Sequence, residues 1–222
     1  MNIIYFNGDS FTNHQYFREN SYDILSSDDR LIINNSINGN WNTNIVKQTI
    51  KELHQLSELA EKTNGQVYAF IFFSELLRSP FEIKILDKIV KTHKTSDLEF
   101  ALAKLAEFYY SSILLKIANL KNVCVHISSV FTDLPVDSKL RSMYEIVTGV
   151  KTNDICYAVS YISKYGDQAL LDMGFNKTEL LKLMDSSIKR CDLLNKIPDI
   201  CNYHFENKEQ YKLIINSINQ LI

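Results

Sequence analysis

Val67-Tyr68-Ala69-Phe70-Ile71-Phe72-Phe73 is an unbroken apolar run, preceded by Asn64-Gly65 and closed by Ser74. A strand with one wet face alternates apolar and polar residues. This one does not, so both of its faces must be covered, as in the central strand of a parallel sheet. A second such run, Ile3 to Phe6, opens the chain. Parallel strands need crossovers of a dozen residues or more, usually helices. The segments between the runs must therefore supply helices for both faces of the sheet.

They do so in order. About Asn13 to Ser26 reads as a first helix or turn, and Leu31 to Ser36 as a second strand. Asn42 to Lys62 is a predicted helix, with Ile45, Thr49, Leu53, Leu56 and Leu59 at helical spacing. Lys91 to Lys94, containing His93, reads as a polar linker. Ser96 to Leu120 is a long helix. Ser96 is its expected N-cap, Glu99 completes a capping box, and Phe100, Phe108, Tyr109 and Tyr110 belong to a core face. Asn122 to Ile127 is the fourth strand. Thr178 to Asn195 is helical with a threonine cap, and Glu206 to Ile222 closes the chain with Tyr211, Ile214, Ile215 and Ile218 on one side. The expected fold is α/β: a flavodoxin-like three-layer sandwich with a mainly parallel central sheet. One domain covers 1–222, with a helical cap or insertion over about Asp133 to Lys177 that closes the cleft.

Bulk composition narrows the function classes. Lys and Arg number 24 against 26 Asp and Glu, a net charge of −2, so no basic excess points to nucleic acid or to an anionic membrane. No stretch approaches the roughly 20 apolar residues of a bilayer span, and the N-terminus lacks the pattern of a signal peptide. A cytoplasmic protein is expected. Cys124, Cys156, Cys191 and Cys201 are widely spaced, form no CxxC pair, and are expected as buried free thiols. No histidine pair has metal-ligand spacing, and no P-loop or GxGxxG occurs, so neither metal nor cofactor is expected.

The chemistry concentrates at the two ends. Strand one runs into Asn7-Gly8-Asp9-Ser10-Phe11-Thr12, which places a hydroxyl where open α/β sheets bind ligands, beyond the carboxyl end of a strand. A serine there can act as a nucleophile, with backbone N–H groups facing a developing oxyanion. Tyr203-His204-Phe205, just before the last helix, offers a base. His14, four residues after Ser10, either edges the same cleft or lies on an exposed helix. His54 is expected at the surface, and His126 in the core or at the cleft edge. Glu75 and Arg78 have i,i+3 spacing and are expected to pair.

The Gly8-Asp9-Ser10 segment after an N-terminal strand resembles the SGNH, or GDSL-type, hydrolase family, in particular compact members found in phage genomes. The resemblance is carried by about the first 50 and the last 25 residues. It implies Ser10 as nucleophile and His204 as base. The oxyanion would be held by the N–H groups of Ser10 and Gly39, the latter within Ile37-Asn38-Gly39-Asn40. The family carries an asparagine donor after the central strand; this chain has Ser74 there. The family also places an aspartate three residues before its histidine. Here that position is Cys201, and Asp199, five before His204, is the candidate to orient the ring. The implied activity is hydrolysis of acyl or acetyl esters of a small molecule or carbohydrate. With two family blocks altered, the alternative is a catalytically degenerate member that binds or has a structural, phage-related role.

Overall fold

The computed structural model of the chain describes residues 1–130, 139–151, 167–182, 200–201, 204–205 and 207–222. Its centre is a four-stranded, all-parallel sheet of β1 (Asn2–Asn7), β2 (Arg30–Asn34), β3 (Val67–Phe73) and β4 (Val123–Ser129). The strand order is β2-β1-β3-β4. The chain steps to one side of β1 and then crosses back to the other, the flavodoxin-like winding expected from the sequence. It leaves a topological switch point between β1 and β3. Ile3 to Asn7 pair in register with Val67 to Ile71, so the carboxyl ends of both central strands open on the same edge.

The two central strands are the apolar runs, and their alternate residues feed two separate cores. Ile3, Tyr5, Val67, Ala69, Ile71 and Phe73 face α3 (Asn42–Lys62), α4 (Pro80–His93) and α5 (Leu98–Ile117). Ile4, Phe6, Phe70 and Phe72 face the other layer. That layer holds α1 (Ser10–Asn13), α2 (Gln15–Leu25) and α6 (Met143–Thr148). A short α7 (Asp167–Asp172) follows, then a two-stranded hairpin of β5 (Ile200–Cys201) and β6 (His204–Phe205), and finally α8 (Lys208–Asn219). α8 seals the second core with Tyr211, Ile214, Ile215 and Ile218, as its periodicity requires. Among the described residues no helix is long and apolar enough to cross a membrane.

Several expectations are corrected. The helix expected over about Asn13 to Ser26 is α2, started by the His14 side chain accepting from the Tyr16 N–H, and α1 precedes it as a separate short helix. His93 lies in the last turn of a helix. Ser79 caps α4 with Pro80 at its first position and Glu82 three residues on, a start signal present in the sequence. Asp97, not Ser96, caps α5, its carboxylate accepting from the Phe100 N–H at 3.0 Å. Phe100 and Phe108 lie on the outer side of α5, while Tyr109 is buried. Leu59 is exposed, and Ala60 takes the core position beside it. Asn176 rather than Thr178 caps the helical turn at 177–182, accepting from the Thr178 N–H at 2.8 Å. Cys124 is exposed on the edge strand β4, beside His126 at 3.5 Å. The other cysteine side chains lie outside the described residues. The described parts of the 133–177 region pack into the molecule: Met143 and Tyr144 join one core, Leu170 and Phe175 the other.

Candidate functional site

β1 ends at a buried Asn7, whose side chain holds the strand end to α3. Its amide donates to the Ile45 carbonyl and to Thr49 Oγ1 (2.9 Å), and its oxygen accepts from the Gly8 N–H (2.9 Å). Gly8 has no room for a side chain. A Cβ there would sit 2.5 Å from Thr12 Oγ1 and 3.0 Å from the Phe72 carbonyl. The next two residues start a helix. Asp9 is the N-cap of α1, its carboxylate accepting from the Phe11 N–H at 3.0 Å. Ser10 is therefore the first residue of α1, where backbone N–H groups point out of the helix N-terminus. It is half-buried, at the carboxyl edge of β1 and beside the switch point.

The loop after β2 is tied to this turn. The Ile37 N–H donates to the Gly8 carbonyl (3.3 Å), Asn34 Nδ2 to the Thr12 carbonyl (2.7 Å), and Asn13 Nδ2 to Asn38 Oδ1 (2.7 Å). Gly39 follows Asn38 in an exposed turn closed by the Asn40 N–H on the Ile37 carbonyl. Its φ of 69° by itself calls for glycine, since a Cβ there meets nothing within 4 Å. Ser10 and Gly39 thus lie on two loops held together.

Ser74, the third residue of the set, is buried in the loop after β3. Asn42, at the start of α3, grips its backbone: Oδ1 accepts from the Ser74 N–H at 2.9 Å, and Nδ2 donates to the carbonyls of Ser74 and Glu75 at 3.3 Å. The Ser74 hydroxyl donates to Glu75 Oε2 at 2.9 Å and accepts from Arg78 Nη1. The same Nη1 lies 3.4 Å from Asp9 Oδ2 and 3.3 Å from Glu75 Oε2. The expected Glu75–Arg78 pair therefore forms, but in a loop. Leu77 between them has φ 61°, a conformation rare for leucine, held by anchors on both sides. One anchor is Asn42. The other is Glu82, which accepts from the Arg78 N–H at 2.6 Å.

This network was not read as a unit from the sequence. It joins Asp9, Ser74, Glu75 and Arg78 across the switch point, two carboxylates to one guanidinium. Burial pushes the Asp9 carboxyl up from its usual range, and Glu75 adds to this; the Phe11 N–H, Arg78 and Ser74 pull it back. Burial likewise raises Glu82 to about 7, against the hydrogen bond its carboxylate accepts from the Arg78 N–H. Burial, then the Asp9 charge, raises the Tyr211 hydroxyl.

Asp199 lies outside the described residues. The His204 backbone pairs with Cys201 in the β5–β6 hairpin. Its neighbour Phe205 is buried and packs edge-on against Phe11 (centroids 5.6 Å), the neighbour of Ser10, and against Tyr211 (5.7 Å). His14 stacks on Tyr211 at 4.8 Å and caps α2 through Nδ1, so that nitrogen is already an acceptor. His54 is half-buried on α3. Cys124 and His126 pair with Tyr68 and Phe70 in the first half of β3, away from the carboxyl edge, and His126 stacks on Phe70 at 5.1 Å. Among the described residues no three His, Cys, Asp or Glu side chains group to hold a metal ion.

No protein-family model matches the chain, and no curated protein matches its sequence. Solved structures similar to it include an acetyl xylan esterase, at 14% identity over 100% of both chains with a TM-score of 0.40. A member of the lipolytic protein G-D-S-L family from Veillonella parvula matches at 11% identity over 100% of this chain and 98% of that one, TM-score 0.38. A GDSL-like lipase, so described, from Parabacteroides merdae matches at 12% identity over 98% and 94%, TM-score 0.31.

Proposed function

We propose that the chain is a serine hydrolase acting on acyl or acetyl esters of a small molecule or carbohydrate. Ser10 Oγ attacks the ester carbonyl while His204 takes its proton. His204 then returns that proton to the leaving alcohol, and water, deprotonated by the same imidazole, releases the acid from the acyl-Ser10 intermediate. Asp199 orients His204. The N–H groups of Ser10 and Gly39 hold the oxyanion, with the Ser74 hydroxyl as a third donor once it leaves Glu75.

The observation that carries this reading is the contact between Phe11 and Phe205. The residues that follow Ser10 and His204 in the chain pack against each other, which ties the Ser10 turn to the C-terminal hairpin. The test is hydrolysis of p-nitrophenyl acetate and butyrate by the wild type, Ser10→Ala and His204→Ala. Activity that vanishes in both variants supports the hydrolase. A folded wild type no more active than the variants refutes it for these esters.

One observation favours a second reading, a non-catalytic binding or structural protein on the same fold. The Ser74 hydroxyl already donates to Glu75, at the position where an oxyanion donor is needed. The same assay separates the two readings.

A further inference from the structure

We propose that Arg78 is a positioning residue: its guanidinium, bonded at once to Asp9 and Ser74, locks the Ser10 turn to the loop after β3 and acts on Ser10 through the Asp9 carboxylate. The proposal rests on Ser10 being the nucleophile. Asp9 both caps the helix that Ser10 begins and meets Arg78 with its other oxygen, so one carboxylate links the guanidinium to the serine's backbone. The lock spans the switch point, from β1 to the end of β3. Arg78 is itself held from behind, by Glu82 on its N–H and by the Asn42 grip on Ser74.

The geometry makes the lock depend on Asp9 being ionised. A protonated carboxyl keeps a weaker cap and loses the ion pair. The groups facing Asp9 are Glu75, Arg78 and Ser74 from the loop after β3, the Phe11 N–H from α1, and the Tyr211 hydroxyl from α8. Of these only Arg78 is a cation, and Glu75 works against it. Removing Arg78 therefore raises the pH at which Asp9 takes up its proton.

The test is the pH profile of kcat and KM on p-nitrophenyl acetate for the wild type, Arg78→Gln, Arg78→Lys, Asp9→Asn and Asp9→Asn/Arg78→Gln, with a thermal melt of each. In Arg78→Gln, kcat is expected to fall about 10- to 100-fold with KM within about threefold. Its acid limb moves up by about one pH unit or more. Arg78→Lys restores the acid limb because the charge remains, but only part of kcat, because an ammonium lacks the planar fork. With Asn at position 9, adding Arg78→Gln costs less than about twofold, since the carboxylate through which Arg78 acts is gone. An unmoved acid limb, or effects that simply multiply in the double variant, overturns the proposal and leaves Arg78 a loop-stabilising residue.

If the wild type hydrolyses no ester, the enzyme reading falls on its own. The lock is then read by NMR, from the Asp9 carboxyl titration and the Ser10 amide shift in the wild type and Arg78→Gln. Both are expected to move, and an unchanged Asp9 titration overturns the proposal.

Discussion

Phe205→Leu tests the link between the hairpin and the Ser10 turn. Phe205 is 1% exposed and sits edge-on to both Phe11 and Tyr211. Alanine there would cost about 3–5 kcal/mol, a large share of a native stability of about 5–15 kcal/mol. Leucine keeps most of the volume and forfeits the two ring contacts, each worth about 0.5–1.5 kcal/mol. Taking about 2 kcal/mol for the pair, a chain of this length loses about 4–8 °C in Tm. Phe70→Leu is the control. Phe70 is fully buried in the middle of β3 and also makes two ring contacts, with Phe6 at 5.7 Å and His126 at 5.1 Å. Melts should show similar losses for the two variants. Hydrolysis of p-nitrophenyl acetate should fall at least about tenfold in Phe205→Leu, because displacing His204 by about 1 Å misaligns the proton transfer, and less than about twofold in Phe70→Leu. Equal activity losses at matched Tm would refute the reasoning, since Phe205 would then be ordinary core.

Glu82→Gln tests the buried acid behind the lock. The folded pKa of about 7 stands above the ordinary 4.5, so between those values the folded state binds more protons than the unfolded state. Wild-type stability therefore falls as pH rises through that window, by about 3 kcal/mol, and levels off above it. The glutamine keeps an acceptor for the Arg78 N–H and should flatten this slope in melts across the window; an unchanged slope refutes the assignment. Asn42→Ala leaves the buried Ser74 N–H without its partner and should cost about 1–3 kcal/mol in chemical denaturation, with esterase activity falling as the loop loosens. Cys124→Ser, at the far half of β4, should leave esterase activity within about twofold of wild type, and a larger loss would mean that the site extends to that edge.

The sheet was legible because its central strands are the two apolar runs, and burial on both faces leaves no other pattern for Ile3–Phe6 and Val67–Phe73. Helix α4 was missed although Ser79, Pro80 and Glu82 mark its start, because its charged residues outweighed its apolar ones in the reading of Lys91 to Lys94. Phe100 and Phe108 were assigned to the core because α5 is apolar nearly all round, so periodicity alone does not orient it. The site divides in the same way. Gly8-Asp9-Ser10 is visible because it is contiguous and follows a strand. The Asn42 grip on Ser74 and the Arg78 bridge to Asp9 join residues 32 and 69 positions apart, and nothing local in the sequence records such pairs.

The network also bears on how fast such a site can work. The Ser74 proton points to Glu75, and Arg78 donates to the Ser74 oxygen. An oxyanion arriving at Ser74 would meet a lone pair rather than a proton. Two backbone N–H groups, on Ser10 and Gly39, would then carry its charge. One missing donor of this kind costs about 10²–10³ in rate, or about 3–4 kcal/mol of transition-state stabilisation. Recruiting Ser74 instead means breaking its bond to a carboxylate, and a charge-assisted bond is worth about 1.5–3 kcal/mol, so most of the gain would be offset. On the hydrolase reading, a Ser10 enzyme here is therefore a slow one, and Glu75→Gln, which weakens the hold on the Ser74 proton, should make it faster.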